Sequence, residues 1–302
     1  MSRKMKVLLA VLTYLGITII LALVVGSSGK NEEFQPQNEF LLDPWISLDL
    51  GFADLSITKA VLYLFLAAAA TIGVMTYIAN RMQREPNKVQ MAIEVAYDMT
   101  KNNIAGNIPE DRLARKWFPY LATLFFFIWF SNMLGYLPLP TNTHEPVDVF
   151  GLEIPSFAIY AATANISIPL VLALISVIAY HWEGIRVQGP IKYLKSWLPP
   201  GLENMNVFGR GAIFMIEVIS HLVRVISLSV RLFANILAGH LLILFMAGGL
   251  AVLLGLAALG VLTFPMAFAF FVFEIGLVAT LQAFIFSTLT AIYIGGATSE
   301  SH

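Results

Sequence analysis

The chain has no cysteine, which excludes disulfides and cysteine-held metal and leaves the compartment open. It is also short of charge. Asp, Glu, Lys and Arg make up 12% of its 302 residues, where a soluble chain carries about 25%. The formal net charge is −1, so there is no basic footprint for nucleic acid. No Walker loop, dinucleotide fingerprint or HExxH motif occurs, so no catalytic centre, nucleotide site, cofactor or metal site is expected. What is abundant is apolar: 58% of the residues are hydrophobic and the mean hydropathy is +0.77. The fold class expected is all-α, a polytopic membrane protein with about five to six membrane helices.

The apolar runs are separated by polar ones. Val7 to Val25 follows Arg3, Lys4 and Lys6, and reads equally as a signal peptide or as an extra anchor helix. Three domains are expected: this N-terminal segment (1–26), an acidic extracytoplasmic segment (27–56) and a membrane domain (57–302). Ala60 to Ala79 is uncharged and long enough to span. Arg81 to Lys116 is basic, with Val89, Ile93, Ala96 and Tyr97 at helical spacing. It reads as a helix along the membrane surface or as a soluble loop helix. Trp117 to Leu137 is the next span, then a loop, "LPLPTNTHEPVD". Ile154 to Trp182 holds another span, with Pro155 and Pro169 in its first half. A polar loop runs from Glu183 to Gly209. Two runs remain, Gly211 to about Ala247 and about Gly248 to Gly296, each longer than the roughly 20 residues a perpendicular helix needs. They suit long tilted helices packed as a hairpin.

Basic residues orient the chain. With the N-terminus inside, fourteen of the eighteen Lys and Arg fall inside: Arg3, Lys4 and Lys6; then Arg81, Arg84, Lys88, Lys101, Arg112, Arg115 and Lys116; then Arg186, Lys192, Lys195 and Arg210. Lys30 and Lys59 fall outside, and Arg224 and Arg231 within the membrane. The C-terminus is then inside.

Glu217, Arg224, Arg231 and Glu274 lie within the last two apolar runs, with His221, Asn235, His240 and Gln282. A charge at a helix centre costs about 2.5–3.5 kcal/mol on insertion scales, so such groups face a cavity or a partner. Glu217, His221, Arg224, Arg231 and Asn235 are spaced 4, 3, 7 and 4 residues apart, which keeps them on one helical face. At 1.5 Å per residue that stripe is about 27 Å long, close to the hydrocarbon thickness of about 30 Å. His240, nine residues past Arg231, points to roughly the opposite side. Ala234, Ala238 and Gly239 permit close approach of another helix. Glu217 and His221 are plausible proton carriers. Arg231 stays protonated; it cannot relay a proton, but it can repel protons and hold an anion. The bland alternative is internal pairing, Glu217 with His221 or Arg224 and Arg231 with Glu274.

"SLSVRLFANILAGHLL" (Ser227 to Leu242) resembles the signature of subunit a of the F-type ATP synthase. "SNMLGYLP" (Ser131 to Pro138), "TANISIPLVLAL" (Thr163 to Leu174) and "LQAFIFSTLTAIY" (Leu281 to Tyr293) are similar to further motifs of that family, in the same order. The resemblance implies a non-catalytic stator subunit that carries protons through two aqueous half-channels to and from the carboxylates of a c-subunit ring. The motif arginine, Arg231, would face the ring and separate the half-channels, flanked by Asn235 and Gln282, with Arg224 nearby. Glu217 matches the family's acid fourteen residues earlier. Asn165 and Ser167 match a polar pair often opened by Asp, and Asn132 the asparagine before the "LP" turn. His240 and Glu274 take the places of the family's acid–histidine pair, in exchanged order. Glu274 stands eight residues before Gln282 where the family's partner usually stands seven before; Ile275 holds the usual place. Val225 replaces a common proline. The resemblance also implies b subunits of the peripheral stalk, the F1 sector and lipid as partners, and a bacterial inner membrane.

Two other classes compete. A secondary transporter would use Arg231 to hold an anionic substrate, but no internal repeat of the usual kind is visible. A structural scaffold would have self-neutralised charges.

Overall fold

In hydrocarbon the backbone has no water to pair with, so apolar runs must satisfy it internally, as helices. The computed structural model describes residues 3–25, 40–48, 56–83, 85–149, 152–198, 206–249 and 257–298. Among these, five helical spans are long and apolar enough to cross a membrane: Lys59–Arg81, Asp111–Leu134, Ser167–Gln188, Val207–Gly248 and Gly260–Thr298. The protein is an all-α polytopic membrane protein, as its composition implies. Its helices are α1 (Arg3–Val25), α2 (Lys59–Arg81), α3 (Lys88–Met99), α4 (Asp111–Leu134), α5 (Ser167–Gln188), α6 (Pro190–Ser196), α7 (Val207–Leu244), α8 (Ala257–Phe273) and α9 (Ala279–Thr298). Most of the acidic segment expected at 27–56 lies outside the described residues.

Four sequence boundaries move. The stretch read as a loop after α4 is a strand, β3 (Leu139–Val149), paired antiparallel with β4 (Leu152–Ala158). A shorter pair, β1 (Pro44–Ile46) and β2 (Ile57–Thr58), precedes α2. Prolines are compatible with such two-stranded ribbons, where every strand is an edge. The span assigned to Ile154–Trp182 therefore begins only at Ser167. There the Asn165 carboxamide accepts the Ser167 N–H at 2.9 Å, and Pro169 sits in the first turn, where a missing N–H does no harm. Of the loop read at Glu183–Gly209, Glu183–Gln188 is the end of α5 and Pro190–Ser196 is α6, while residues 199–205 lie outside the described residues. Gly189, at φ +81°, makes the turn between α5 and α6, a conformation that favours glycine, and Pro190 opens α6. Last, α3 buries Gln90 and Ile93 and leaves Val89 exposed, so its inward face is rotated from the apolar stripe read in the sequence. Asn87 caps it by accepting the Gln90 N–H at 2.8 Å.

The chain divides into two compact units. One comprises Ala60–Gly135, Ala161–Asn235 and Ala279–His302. Here α9 packs on α4 and α5 through small buried residues, Ala279, Ala283, Ala291 and Gly295, which let helices approach closely. Polar pins cross these helices. Trp129 Nε1 donates to Thr280 Oγ1 at 3.0 Å, Gln188 Nε2 to the Ala297 carbonyl at 3.0 Å, and Lys116 pairs with the buried Glu183 carboxylate. The other unit comprises Met1–Lys59, Tyr136–Tyr160 and Ile236–Val278; within it α1 packs on α8.

Between α8 and α9 the helix widens to a π turn, Glu274–Val278. Such a turn takes in one residue more than an α turn. It begins at the acid whose register departs from the family pattern.

Candidate functional site

The N-terminal half of α7 meets α5, α6 and α9 in a polar cluster. The Gly189 turn folds α6 back onto α5, and Tyr193 reaches Gly184, where an added Cβ would overlap the Tyr193 ring. That closeness brings Tyr193 Oη within 2.7 Å of His181 Nδ1. Burial pushes the Tyr193 phenol up, so it remains a neutral donor. From α5, Tyr180 Oη lies 2.8 Å from His221 Nδ1. The imidazoles of His181 and His221 are 4.7 Å apart, and Trp197 lies 4.5 Å from His221, centroid to centroid.

Arg224 sets the tautomer of His221. Its Nη1 is 3.5 Å from His221 Nδ1, and a guanidinium only donates. Nδ1 therefore accepts, and the ring proton sits on Nε2. That atom is buried and has no hydrogen-bond partner among the described residues; it faces Glu217 Oε1 at 3.7 Å. Arg224 Nη2 is 3.6 Å from the same Glu217 oxygen, and its guanidinium lies 5.2 Å from the Tyr293 ring centre. Together Tyr180, Tyr193, Trp197, Glu217, His221, Arg224 and Tyr293 border a cavity of about 460 Å³. A polar cavity of this size has room for several waters. The pairing expected of Glu217 with His221 or Arg224 is thus present. The sequence reading missed Tyr180, His181, Tyr193 and Trp197; "YHW" inside an apolar run was the available signal.

One stretch further along α7 the surroundings change. Arg231 and Asn235 are exposed, as are Ser227, Ala234 and Ala238. Among the described residues Arg231 has no hydrogen-bond or ion-pair partner. Leu228, Leu232 and Ile236 form the buried side of the same turns. Gln282 on α9 is buried. Asn132 is fully buried, and both ends of its amide are taken: Nδ2 donates to the Ala279 carbonyl at 3.2 Å and Oδ1 accepts from Thr163 Oγ1 at 2.7 Å. It ties α4 to the start of α9 and to the short 3-10 turn Ala162–Ala164. Asn165 caps α5, and Ser167 is exposed at its start.

The second polar cluster forms at the C-terminal end of α7. His240 is buried, with Nδ1 2.9 Å from the Ile236 carbonyl. Glu274 is buried too. Tyr136 Oη donates to Glu274 Oε2 at 3.0 Å, and the Tyr136 ring lies 4.5 Å from the His240 ring. Gly239 lies under the carboxylate, and an added Cβ would overlap it. Glu274 is more buried than its neighbour Ile275.

A family model described as ATP synthase A chain matches residues 61–295. The chain belongs to that family. Among its relatives, the ATP synthase subunit a of Rubrobacter xylanophilus is 35% identical over 249 residues, covering 82% of this chain and 87% of that protein. Those of Parvibaculum lavamentivorans and Campylobacter concisus are 30% and 34% identical, covering 91% and 78% of this chain and 97% and 88% of theirs. Membership of this ATP synthase subunit a family accords with the five apolar spans: the protein is a multi-pass membrane protein of the ion-translocating sector.

Proposed function

We propose that this chain conducts protons to and from a ring of c subunits through two half-channels, with Arg231 as the barrier between them. The observation that carries the proposal is the environment of Arg231. A guanidinium in an apolar helix needs an anionic partner, yet among the described residues it has none. It stands on an exposed face beside small residues, Ala234 and Ala238, which suit close packing of a second helix. A carboxylate on a ring subunit would meet that need, and a permanent cation there would stop protons from crossing directly. Asn235 and Gln282 flank it in this reading.

The inner half-channel is the cavity around Glu217 and His221, with the His181 ring beside His221. The Nε2–H of His221, aimed towards Glu217, is placed to exchange a proton with water or with that acid. Arg224 holds the pair in one tautomer. Asn132, Asn165 and Ser167 are the further polar residues that the family resemblance assigns to the half-channels. His240 and Glu274 make the second half-channel, and the π turn is the reason to favour Glu274 over Ile275. The extra residue in a π turn lets an acid eight residues before Gln282 face the way one seven residues before would in a regular helix.

Partners follow from the same reading: the c ring against Arg231, b subunits of the peripheral stalk, the F1 sector indirectly, and lipid. The location is a bacterial inner membrane with the C-terminus in the cytoplasm. The scaffold alternative suits Arg224, which is paired internally, but not Arg231.

The test is Arg231→Ala in the purified, assembled complex. ATP-driven proton pumping is expected to be lost while ATP hydrolysis persists. Pumping at the normal rate would overturn the barrier role.

A further inference from the structure

We infer that Tyr136 is a positioning residue for Glu274, holding one carboxylate oxygen so that the other is presented for proton exchange. The inference rests on the reading of Glu274 as the acid of the outer half-channel. Three features converge on this carboxylate. The π turn Glu274–Val278 re-aims its side chain. Gly239 on α7 leaves room for it and for nothing larger than a hydrogen. Tyr136 Oη, 1% exposed as a residue, donates to Oε2 at 3.0 Å. Oε1 has no hydrogen-bond partner among the described residues.

Tyr136 is itself clamped. Its ring lies against His240 on one side and meets Phe271 edge-on, centroids 6.0 Å apart. The phenol therefore has a fixed direction, and a fixed donor selects one carboxylate rotamer. Burial and the adjoining Glu274 carboxylate push the Tyr136 phenol well above its ordinary value, so it stays a donor at any working pH. The titratable groups around the carboxylate are Tyr136 itself and His240. From α1, packed on α8, residues beyond Lys6 bring no charge and one phenol, Tyr14.

A donor on a carboxylate favours its ionised form. Without the hydroxyl that preference is lost and the carboxylate rotamer is no longer fixed, so the acid limb of conduction moves up.

The experiment measures passive proton conduction of membranes carrying the assembled sector, stripped of F1, between about pH 5 and pH 9. Tyr136→Phe keeps the ring and removes one oxygen. Its acid limb is expected to move up by about half a unit to one unit. Gly239→Ala keeps the hydroxyl and displaces the carboxylate, and is expected to move the same limb. Glu274→Gln is expected to abolish conduction. If Glu274→Gln abolishes conduction while Tyr136→Phe or Gly239→Ala traces the unmodified profile, the positioning role is overturned and the reading of Glu274 stands. If Glu274→Gln conducts normally, the reading of Glu274 itself is overturned.

Discussion

Four side chains on α7 with similar burdens in the sequence take different roles in the structure. Arg224 is paired with Glu217 and fixes the tautomer of His221; Arg231, seven residues on, is exposed and unpaired among the described residues. Nothing in the two arginines themselves separates them. What separates them is that Glu217 stands seven residues before Arg224 on the same helix, and that α5, α6 and α9 supply aromatic groups at that height. In the proposed half-channel, His221 is the group of that cavity best placed to move a proton, because Glu217 lies 3.7 Å from its Nε2. His221→Gln keeps a hydrogen-bonding group for Tyr180 and removes the relay. ATP-driven pumping is expected to fall about tenfold or more, read as proton uptake into vesicles at constant ATP hydrolysis. Tyr193→Phe, whose phenol only anchors His181, is expected to cost less than about threefold by the same measurement.

At the scale of elements, the π turn Glu274–Val278 is the departure with the clearest consequence. An α-helix advances about 100° per residue, so one residue more or less elsewhere turns every side chain beyond it off its face. Inside a π turn the added residue is absorbed. Deleting Gly276, which is exposed, is therefore expected to convert the turn to regular helix and keep most of the proton conduction. Deleting Ile285, within the regular part of α9, is expected to abolish it. Equal loss in both deletions would show that the turn absorbs nothing. The Gly189 turn is the other local decision, since it places Tyr193 against His181 by reversing the chain into α6.

For the whole molecule, five spans and the distribution of basic residues act together. Fourteen of eighteen Lys and Arg fall on one side of the threading, and an odd number of spans from α2 onward puts the start of Lys59–Arg81 and the C-terminus on opposite sides. A reporter active only in the cytoplasm, fused after His302, is expected to be active. The same reporter inserted after Asp43 is expected to be silent, and the reverse pattern would overturn the orientation. The Lys116–Glu183 pair sits on the inner side in that threading, where a half-exposed lysine can reach water while its buried acid cannot.

The sequence by itself determined the class and most of the spans, because length and apolarity are enough where hydrocarbon permits only helices. It also determined which of its charges lie at membrane depth, and that Glu217, His221, Arg224, Arg231 and Asn235 share a face, since a fixed helical period does that without any neighbour. The stretch Ile154 to Trp182 holds a span but also most of β4, a division the sequence did not show because short runs carry no distinguishing period. It could not say which groups on the α7 stripe would be covered. The Tyr180–His221 and Tyr193–His181 contacts join residues 41 and 12 positions apart, and the Tyr136–Glu274 contact joins residues 138 apart. Only packing decides such pairs, since helical periodicity orients a side chain about its own axis and contains no term for what stands opposite.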